Sequence, residues 1–491
     1  MKYWLLIYAG LSIIFNLNGQ NRYDYTWIAG YDYFDSIQGS ESTLIEFSED
    51  NLKVKYQKTL QQYALGSSIA MISNRSNGKL LFYTNGCAVF DSTHNIMENG
   101  DSINFGSYWQ NYCQGGSYQY YPISLGCIVL PNNYINDEYY LIHQQISETP
   151  VKNYTLNFSI IKYSENYPDG RVYAKNSKIS NDFLTPGFVT AVKAANGKDW
   201  WLIHLLAESN KYVKFLLDST GLHFVEYQSL GGNVKKQHAQ SQFSHDGKYF
   251  AWYNQETGLH LFDFGRQTGL LSNHRNLLID QGNQRGGLCF SPNSRYLYLF
   301  NIASVYQLDL WNQDMMEGLV KVGEYSDSTS ESRAQSFLYG MLAPNCKIYI
   351  TSTSGAQYFS AIENPDEKGL ACGFNAFGLK LAYYNFVAAI PNFPQFRVDE
   401  ELPCSKNISY SSSIPQIYNL YIFPNPSSGF INFQLEEKGI LSIFDTNGRS
   451  VYQKEVDESN MRLDVSLFNP GHYVVVFEDK HRVYRGEFVK M

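Results

Sequence analysis

The chain has 491 residues, enough for a large core and more than one domain. Charged residues make up only 17%, aromatic residues 16%, and there are 40 tyrosines, the composition of a β-rich extracytoplasmic protein rather than of a helical bundle. The formal net charge is −8 with no basic cluster, which argues against a nucleic-acid partner.

The chain opens on Met1-Lys2, an apolar run over 3–17, and Asn18-Gly19-Gln20. That run is shorter than the ~20 residues a membrane span needs. It fits a secretory signal peptide over 1–19, with Lys2 as its charge and Leu17 and Gly19 at the −3 and −1 places. No later stretch is long and apolar enough to cross a bilayer, so no transmembrane segment is expected after signal removal. Export permits disulfides, and the odd count of seven cysteines leaves at least one unpaired. The expected bridges are Cys346–Cys372 and one among Cys87, Cys113 and Cys127. Cys289 lies in an apolar strand, Gly287-Leu288-Cys289-Phe290-Ser291, and reads as a buried free thiol. No cysteine or histidine spacing matches a metal site.

Through the middle of the chain one pattern recurs: a turn residue and a charge, about four apolar or aromatic residues, then a polar stop. Copies end at Asn85, His143, His204, Asn254, Asn301 and Thr351. The interval of roughly 45–60 residues is a propeller-blade period. Two copies carry a preceding strand and a Ser-x-Asp/Asn turn, Ser244-His245-Asp246 and Ser291-Pro292-Asn293, and a third strand follows at 259–263 and 305–309. This resembles the blade motif of WD-like and lactonase-like propellers, most specifically over 240–310. The resemblance implies an all-β fold: a β-propeller over 20–399, with seven blades expected. Six would account for about 60–366. The leftover segments 25–57 and 381–398 are expected to pair into the seventh and close the ring, which removes exposed sheet edges. Residues 99–120 form a long Gly/Asn/Tyr-rich insertion, and long loops often carry binding.

Residues 400–417 are polar and serine-rich and read as a linker. Beyond them lies a small immunoglobulin-like β-sandwich over 418–491. Ile431, Phe433 and Leu435 alternate with polar residues, and Asn447-Gly448 is a strong hairpin turn. The segment also carries Pro424-Asn425-Pro426 with Gly429, Asp445 with Gly448-Arg449, Gly471 with Tyr473, and a terminal Phe488-Val489-Lys490. In that order and spacing these motifs resemble the type A C-terminal sorting domain of the type IX secretion system of Bacteroidota. The resemblance implies delivery to the cell surface or the extracellular space, with the secretion machinery as a partner. A looser likeness, carried by Phe82-Tyr83-Thr84-Asn85-Gly86-Cys87 and Ile390-Pro391-Asn392-Phe393-Pro394, links the middle of the chain to secreted propellers of Bacteroidota. It implies location and fold and supplies no activity.

No catalytic motif declares itself: there is no G-x-S-x-G elbow, no phosphate loop and no singled-out carboxylate pair. No cofactor, metal or catalytic residue is expected. His143 and His204 close equivalent strands of two blades, but asparagines fill that place elsewhere, so it reads as a polar strand end. Residues just before the innermost strands converge on the central channel of a propeller. They are Tyr63, Tyr121, His238, Arg285 and Arg333, and a ring mixing Arg, His and Tyr suits a carboxylate or a sugar. Asp-Ser-Thr or Asp-Ser-Ile at Asp35, Asp91, Asp101, Asp218 and Asp327 resembles the short O-glycosylation acceptor of Bacteroidota. The expectation is a non-enzymatic module that binds an extracellular glycan or protein. The alternative is a lactonase-like or glycan-lyase-like enzyme using the central channel.

Overall fold

The structure, a computed structural model, describes residues 21–30, 40–48, 51–59, 64–114, 119–147, 153–234, 239–280, 282, 285–324, 336–353, 356–385, 389–400, 417–435, 438–446, 450–456, 460–479 and 483–491. The chain divides into two compact units, Met1–Cys404 and Ser405–Met491.

In the first unit the described strands sort into seven antiparallel sheets, each built from strands consecutive in sequence. The first two sheets, within 26–59 and 70–91, have three strands each. The other five, within 127–180, 190–229, 240–277, 287–324 and 340–385, have four. Their leading strands are Thr26–Ala29, which runs opposite to its neighbour and so sets Tyr23 and Asp24 beside the end of Ala70–Ser73, then Ala70–Ser73, Cys127–Pro131, Thr190–Lys193, Gln240–Phe243, Gly287–Phe290 and Gly340–Leu342. They are short and almost wholly buried. Most successive leading strands touch, and the last sheet meets the first through Trp27 against Tyr349 and through the Tyr383 N–H on the Thr43 hydroxyl. The unit is a seven-bladed β-propeller.

The blade turn read from the sequence has a local cause. Ser244 Oγ donates to Asp246 at 2.6 Å and accepts the Tyr249 N–H at 2.9 Å. Ser291 does the same with Asn293 at 2.7 Å and the Tyr296 N–H at 2.9 Å. The Asp246 and Asn293 side chains then accept the N–H of Lys248 and Arg295. Each turn therefore satisfies its own backbone donors before the second strand begins.

Ring closure differs from the expectation. The N-terminal segment does not share a blade with 381–398; it forms a sheet of its own from Thr26–Ala29, Ser40–Phe47 and Leu52–Thr59. Residues 381–385 belong to Phe374–Asn385, the outer strand of the last blade. The remainder, 389–398, joins no sheet. Pro391 and Pro394 deprive it of the donors a central strand requires. It threads the axis of the ring instead. The Asn392 N–H bonds the Ile69 carbonyl, and the Asn392 side chain donates to the carbonyls of Cys127 and Val189 at 3.0 and 2.7 Å. Gln395 donates its N–H to Ala191 and its side-chain amide to Phe243. Phe393 meets Trp27, and Phe396 meets Trp200 and Tyr23. Asn392 faces the beginnings of the leading strands and Gln395 also reaches the end of one, so the segment runs the length of the channel.

At the far end Arg397, 8% exposed, forms a two-pronged ion pair with Asp24, and its guanidinium donates twice more to the Asn21 carbonyl. Arg266–Asp399 and Lys193–Glu400 tie the following residues to the fourth and fifth blades.

The disulfide expectation holds in part. Cys87 bonds Cys113, but Cys372 is a free buried thiol while Cys346 is disulfide-bonded, so Cys346–Cys372 does not form. Cys346 sits in the turn before the second strand of the last blade, whereas Cys372 is buried with Tyr298 and Phe374 in a separate cluster. Cys289 is free and buried, as expected.

The second unit has a five-stranded sheet and a two-stranded one, Phe430–Gln434 with Asn460–Asp464. Ile431, Phe433 and Leu435 are buried, as their alternation requires. Asn447, Gly448 and Arg449 lie outside the described residues. The strands flanking them, Gly439–Asp445 and Ser450–Val456, pair antiparallel.

Removing one partner of a buried ion pair strands the other charge. Arg397→Leu should cost about 3–5 kcal/mol in chemical denaturation of the propeller, and adding Asp24→Asn should recover part of that loss. A single variant that melts like the wild type would show that the clamp does not hold the threaded segment.

Candidate functional site

The threaded segment occupies the channel, with a small cavity left beside it among Gln242, His245, Met341 and Phe393–Arg397, and an exposed cation stands at one of the channel's ends. At the mouth where the leading strands begin, Arg285 stands two residues before the sixth leading strand, paired by a single bridge with Asn254. Its guanidinium reaches across to the Ser124 hydroxyl at 3.3 Å, three residues before the third leading strand. The phenol of Tyr339, from the seventh blade, joins them. Burial pushes its pKa up, and Arg285 and then Ser124 pull it back. Ser124 and Tyr339 are buried, whereas Arg285 is exposed. No carboxylate among the described residues forms an ion pair with Arg285. The arrangement is a cation flanked by two hydroxyls, suited to an anionic or strongly hydrogen-bonding group.

Below this mouth the leading strands are locked by Gln240. Its carbonyl oxygen accepts the N–H groups of Leu288 and Gly340 at 3.1 Å each, and its amide donates to the Gly340 carbonyl at 2.7 Å. The strands approach so closely that a Cβ on Gly287 would lie 1.7 Å from the Leu338 oxygen. Arg285 is therefore presented by a rigid support.

Of the five channel residues expected from sequence, Arg285 is at the mouth. Tyr121 is wholly buried and its hydroxyl accepts the Ile146 N–H at 2.8 Å, so it braces the third blade rather than facing a ligand. Tyr63, His238 and Arg333 lie outside the described residues. Sequence reasoning missed Ser124 and Tyr339. Both stand just before leading strands, where the same rule would have found them.

The first described part of the insertion, 99–114, is held tightly. It contains a short helix, Ser107–Tyr112, that was not expected. Cys113 is tied to Cys87, the Trp109 indole donates to the Cys87 carbonyl, and Asn104 bonds both Gly86 and His143. Next to the helix lies a polar cavity of about 320 Å³ that includes Ser107, Gln145, Asn153, Thr155 and Lys178.

The polar strand ends behave as a repeat position. Asn85 and Asn254 each accept two backbone N–H groups of the following turn, and Asn301 accepts one. His143 gives its ring nitrogens to Asn104 at 2.6 Å and Ser159 at 3.0 Å. His204 contacts Gln144 and the Gly187 carbonyl. Burial lowers the pKa of His143 to about 3 and that of His204 to about 4. Both rings are neutral structural groups near pH 7. The acceptor-like triplets at Asp91 and Asp218 are turn chemistry: each aspartate accepts the N–H and hydroxyl of the threonine two residues on.

In the second unit Asn425 clamps the last strand, donating to the Glu487 carbonyl and accepting the Val489 N–H, both at 2.9 Å. Ser427 bonds Val489 and Met491 through its backbone, Tyr473 stacks on Phe488, and Lys490 is buried. The Pro-Asn-Pro segment and the chain end thus form one structure.

Residues 421–491 match the family described as "Secretion system C-terminal sorting domain". The chain is accordingly an exported protein with a type IX sorting domain behind its propeller, delivered to the cell surface or the extracellular space. No curated protein matches it. Solved structures similar to it include a candidate 6-phosphogluconolactonase from Bacteroides uniformis, 13% identical, covering 74% of this chain and 97% of that one, TM-score 0.42. A second, from Bacteroides fragilis, is 14% identical over 74% and 96%, TM-score 0.41. The Cps50 (Swd1) β-propeller domain of Myceliophteria thermophila is 10% identical over 66% and 93%, TM-score 0.38.

The buried histidines set a pH dependence. Their folded pKa values are depressed, so between pH 6.5 and about 4 the unfolded chain takes up protons that the folded chain refuses. The stability they confer is present above about pH 6.5 and is lost as pH falls toward the folded values, by up to ~1.4 kcal/mol per pH unit for each group. The melting temperature of the propeller should drop between pH 7 and pH 5, and less steeply in His204→Gln. Parallel profiles for the two proteins would contradict this assignment.

Proposed function

We propose that the protein is a non-enzymatic binding module of the cell surface or the extracellular space. It takes a glycan or protein carrying an anionic group at the channel mouth around Arg285, Ser124 and Tyr339. The observation that supports this reading is the threaded segment. An enzyme of the lactonase or lyase kind using the central channel needs that channel open to substrate, and here 389–398 occupies it with its polar side chains already spent on the leading strands. Among the described residues the rim bears an exposed guanidinium at Arg285, suited to gripping a protruding group. A surface carboxylate or sulfate would replace the carboxylate partner that Arg285 lacks among the described residues. The sorting motif, Pro424, Asn425, Pro426, Gly429, Asp445, Gly448, Arg449, Gly471, Tyr473 and Lys490, then serves to bring this rim outside the cell.

Two experiments test the reading. Deleting 418–491 should retain the propeller in the periplasm, as seen by fractionation; surface delivery of the truncated chain would count against the role given to the motif. On an array of sulfated and uronic-acid glycans, the wild-type protein should bind and Arg285→Ala should lose at least ~10-fold, or ~1.4 kcal/mol. Equal binding by both proteins would remove the mouth as the ligand site.

A further inference from the structure

A second surface, on the opposite end of the blades, has a different chemistry. Strands of a blade alternate in direction, so the loop after a third strand lies at the end away from the residues that precede a leading strand. In the sixth blade that loop connects Ser304–Asp309 to Leu319–Glu324 and carries Trp311, whose side chain leaves the residue 70% exposed. An exposed tryptophan is unremarked when its ring is free to move. This one is fixed.

The fixing starts at Asp309. Arg295 donates to both of its oxygens, at 3.0 and 2.8 Å, and the same carboxylate accepts the Trp311 N–H at 3.1 Å. The Arg295 guanidinium then lies 4.5 Å from the centre of the Trp311 ring, covering one face by a cation–π contact. The loop closes on itself through Asn312 N–H to the Asp309 carbonyl, Gly318 N–H to the Asp314 carbonyl, and the Asp314 carboxylate accepting the Met316 N–H. Gly318 allows the close return, since a Cβ there would meet the Asp309 oxygen at 3.0 Å. The indole is thus held in place before any ligand arrives, which lowers the ordering cost of binding.

Beside the ring lies an open groove of about 560 Å³. Apart from the indole its lining is polar, with Asn312, Gln313, Asp314 and Glu317 around Arg295 and Asp309. One apolar plate surrounded by hydrogen-bonding groups is the complement of a pyranose, which offers a C–H face to the plate and hydroxyls to the rim. A hydrophobic peptide side chain would find a single ring and no further apolar wall. Charge narrows the class. Arg295 is neutralised by Asp309, which leaves the carboxylates of Asp314 and Glu317 facing the groove, so uronic or sulfated sugars are repelled. We propose that Trp311 and its polar rim form a binding site for an uncharged saccharide, separate from the anion-seeking mouth at Arg285.

The test uses the full propeller with its tail and a panel of neutral oligosaccharides of glucose, mannose, galactose and N-acetylglucosamine, alongside polygalacturonate and heparin. Binding is read by tryptophan fluorescence and by calorimetry. At least one neutral oligosaccharide should bind. Trp311→Ala should weaken that binding ~10-fold or more and remove the fluorescence change, Trp311→Phe should restore part of the affinity, and Arg285→Ala should leave it unaltered. Because Trp311 is exposed, its variants are expected to melt with the wild type, which separates lost binding from lost folding. The proposal is overturned if no neutral oligosaccharide binds, if Trp311→Ala binds as tightly as the wild type, or if the acidic polymers bind through Trp311 more tightly than the neutral ones. Since Arg285→Ala is measured in the same assay, failure here and failure at the mouth are told apart.

Discussion

The propeller depends on how its two chain ends meet. Asp24 and Arg397 are 373 positions apart, yet they share a buried two-pronged ion pair. Two charges out of water are tolerable only when their remaining hydrogen-bonding capacity is met. The Asn21 carbonyl meets it by accepting from the same guanidinium. The pair anchors the tail of the threaded segment on one side and the beginning of the first blade on the other. Between them the segment spends Asn392 and Gln395 on backbone groups of the second to fifth blades. A propeller joined only edge to edge would rest on the contact between its first and last blades. Here an internal tie reaches most of the ring.

This construction also decides what the molecule can offer a ligand. A hollow axis is the usual place to bury a substrate and exclude water, and here residues 389–398 occupy much of that place. Among the described residues, candidate binding groups stand at both rims. They are unlike: a cation with hydroxyls at one end, a fixed indole among carboxylates at the other. Delivery outside the cell, set by a tail that forms its own compact unit, suits surfaces that act by contact.

Much of the fold was legible because its causes are local. The Ser-x-Asp/Asn turn satisfies its own donors within five residues, so it leaves the same trace in sequence wherever it occurs. The polar strand end is similar where it is asparagine, which answers backbone groups of the next turn, whereas His143 and His204 bond distant groups instead. Closure was not legible, because apolar runs at 25–57 and 381–398 look alike as strand candidates and only long-range pairing distinguishes them. One signal was present and unread. Pro391 and Pro394, spaced around Asn392 in an apolar run, are poorly suited to a central strand, and the buried amides announce carbonyls waiting elsewhere. The ring of channel residues was legible in its rule and less so in its members. Standing before a leading strand places a residue near the mouth, but Tyr121 turns inward to brace Ile146 while Ser124 and Tyr339 turn toward Arg285. The expected bridge Cys346–Cys372 shows that proximity in sequence says little about pairing, since Cys346 is bonded elsewhere while Cys372 stays buried beside Tyr298.

The clamp between Asp24 and Arg397 also fixes an order of events. The chain leaves the ribosome with residue 24 far ahead of residue 397. The first blade must therefore wait, unpartnered and with its edge open, until nearly the whole propeller has followed. Contacts of such wide separation carry a large loop-closure cost before they return any stabilisation, and they slow folding. A ring tied by its last residues becomes rigid only when its end arrives.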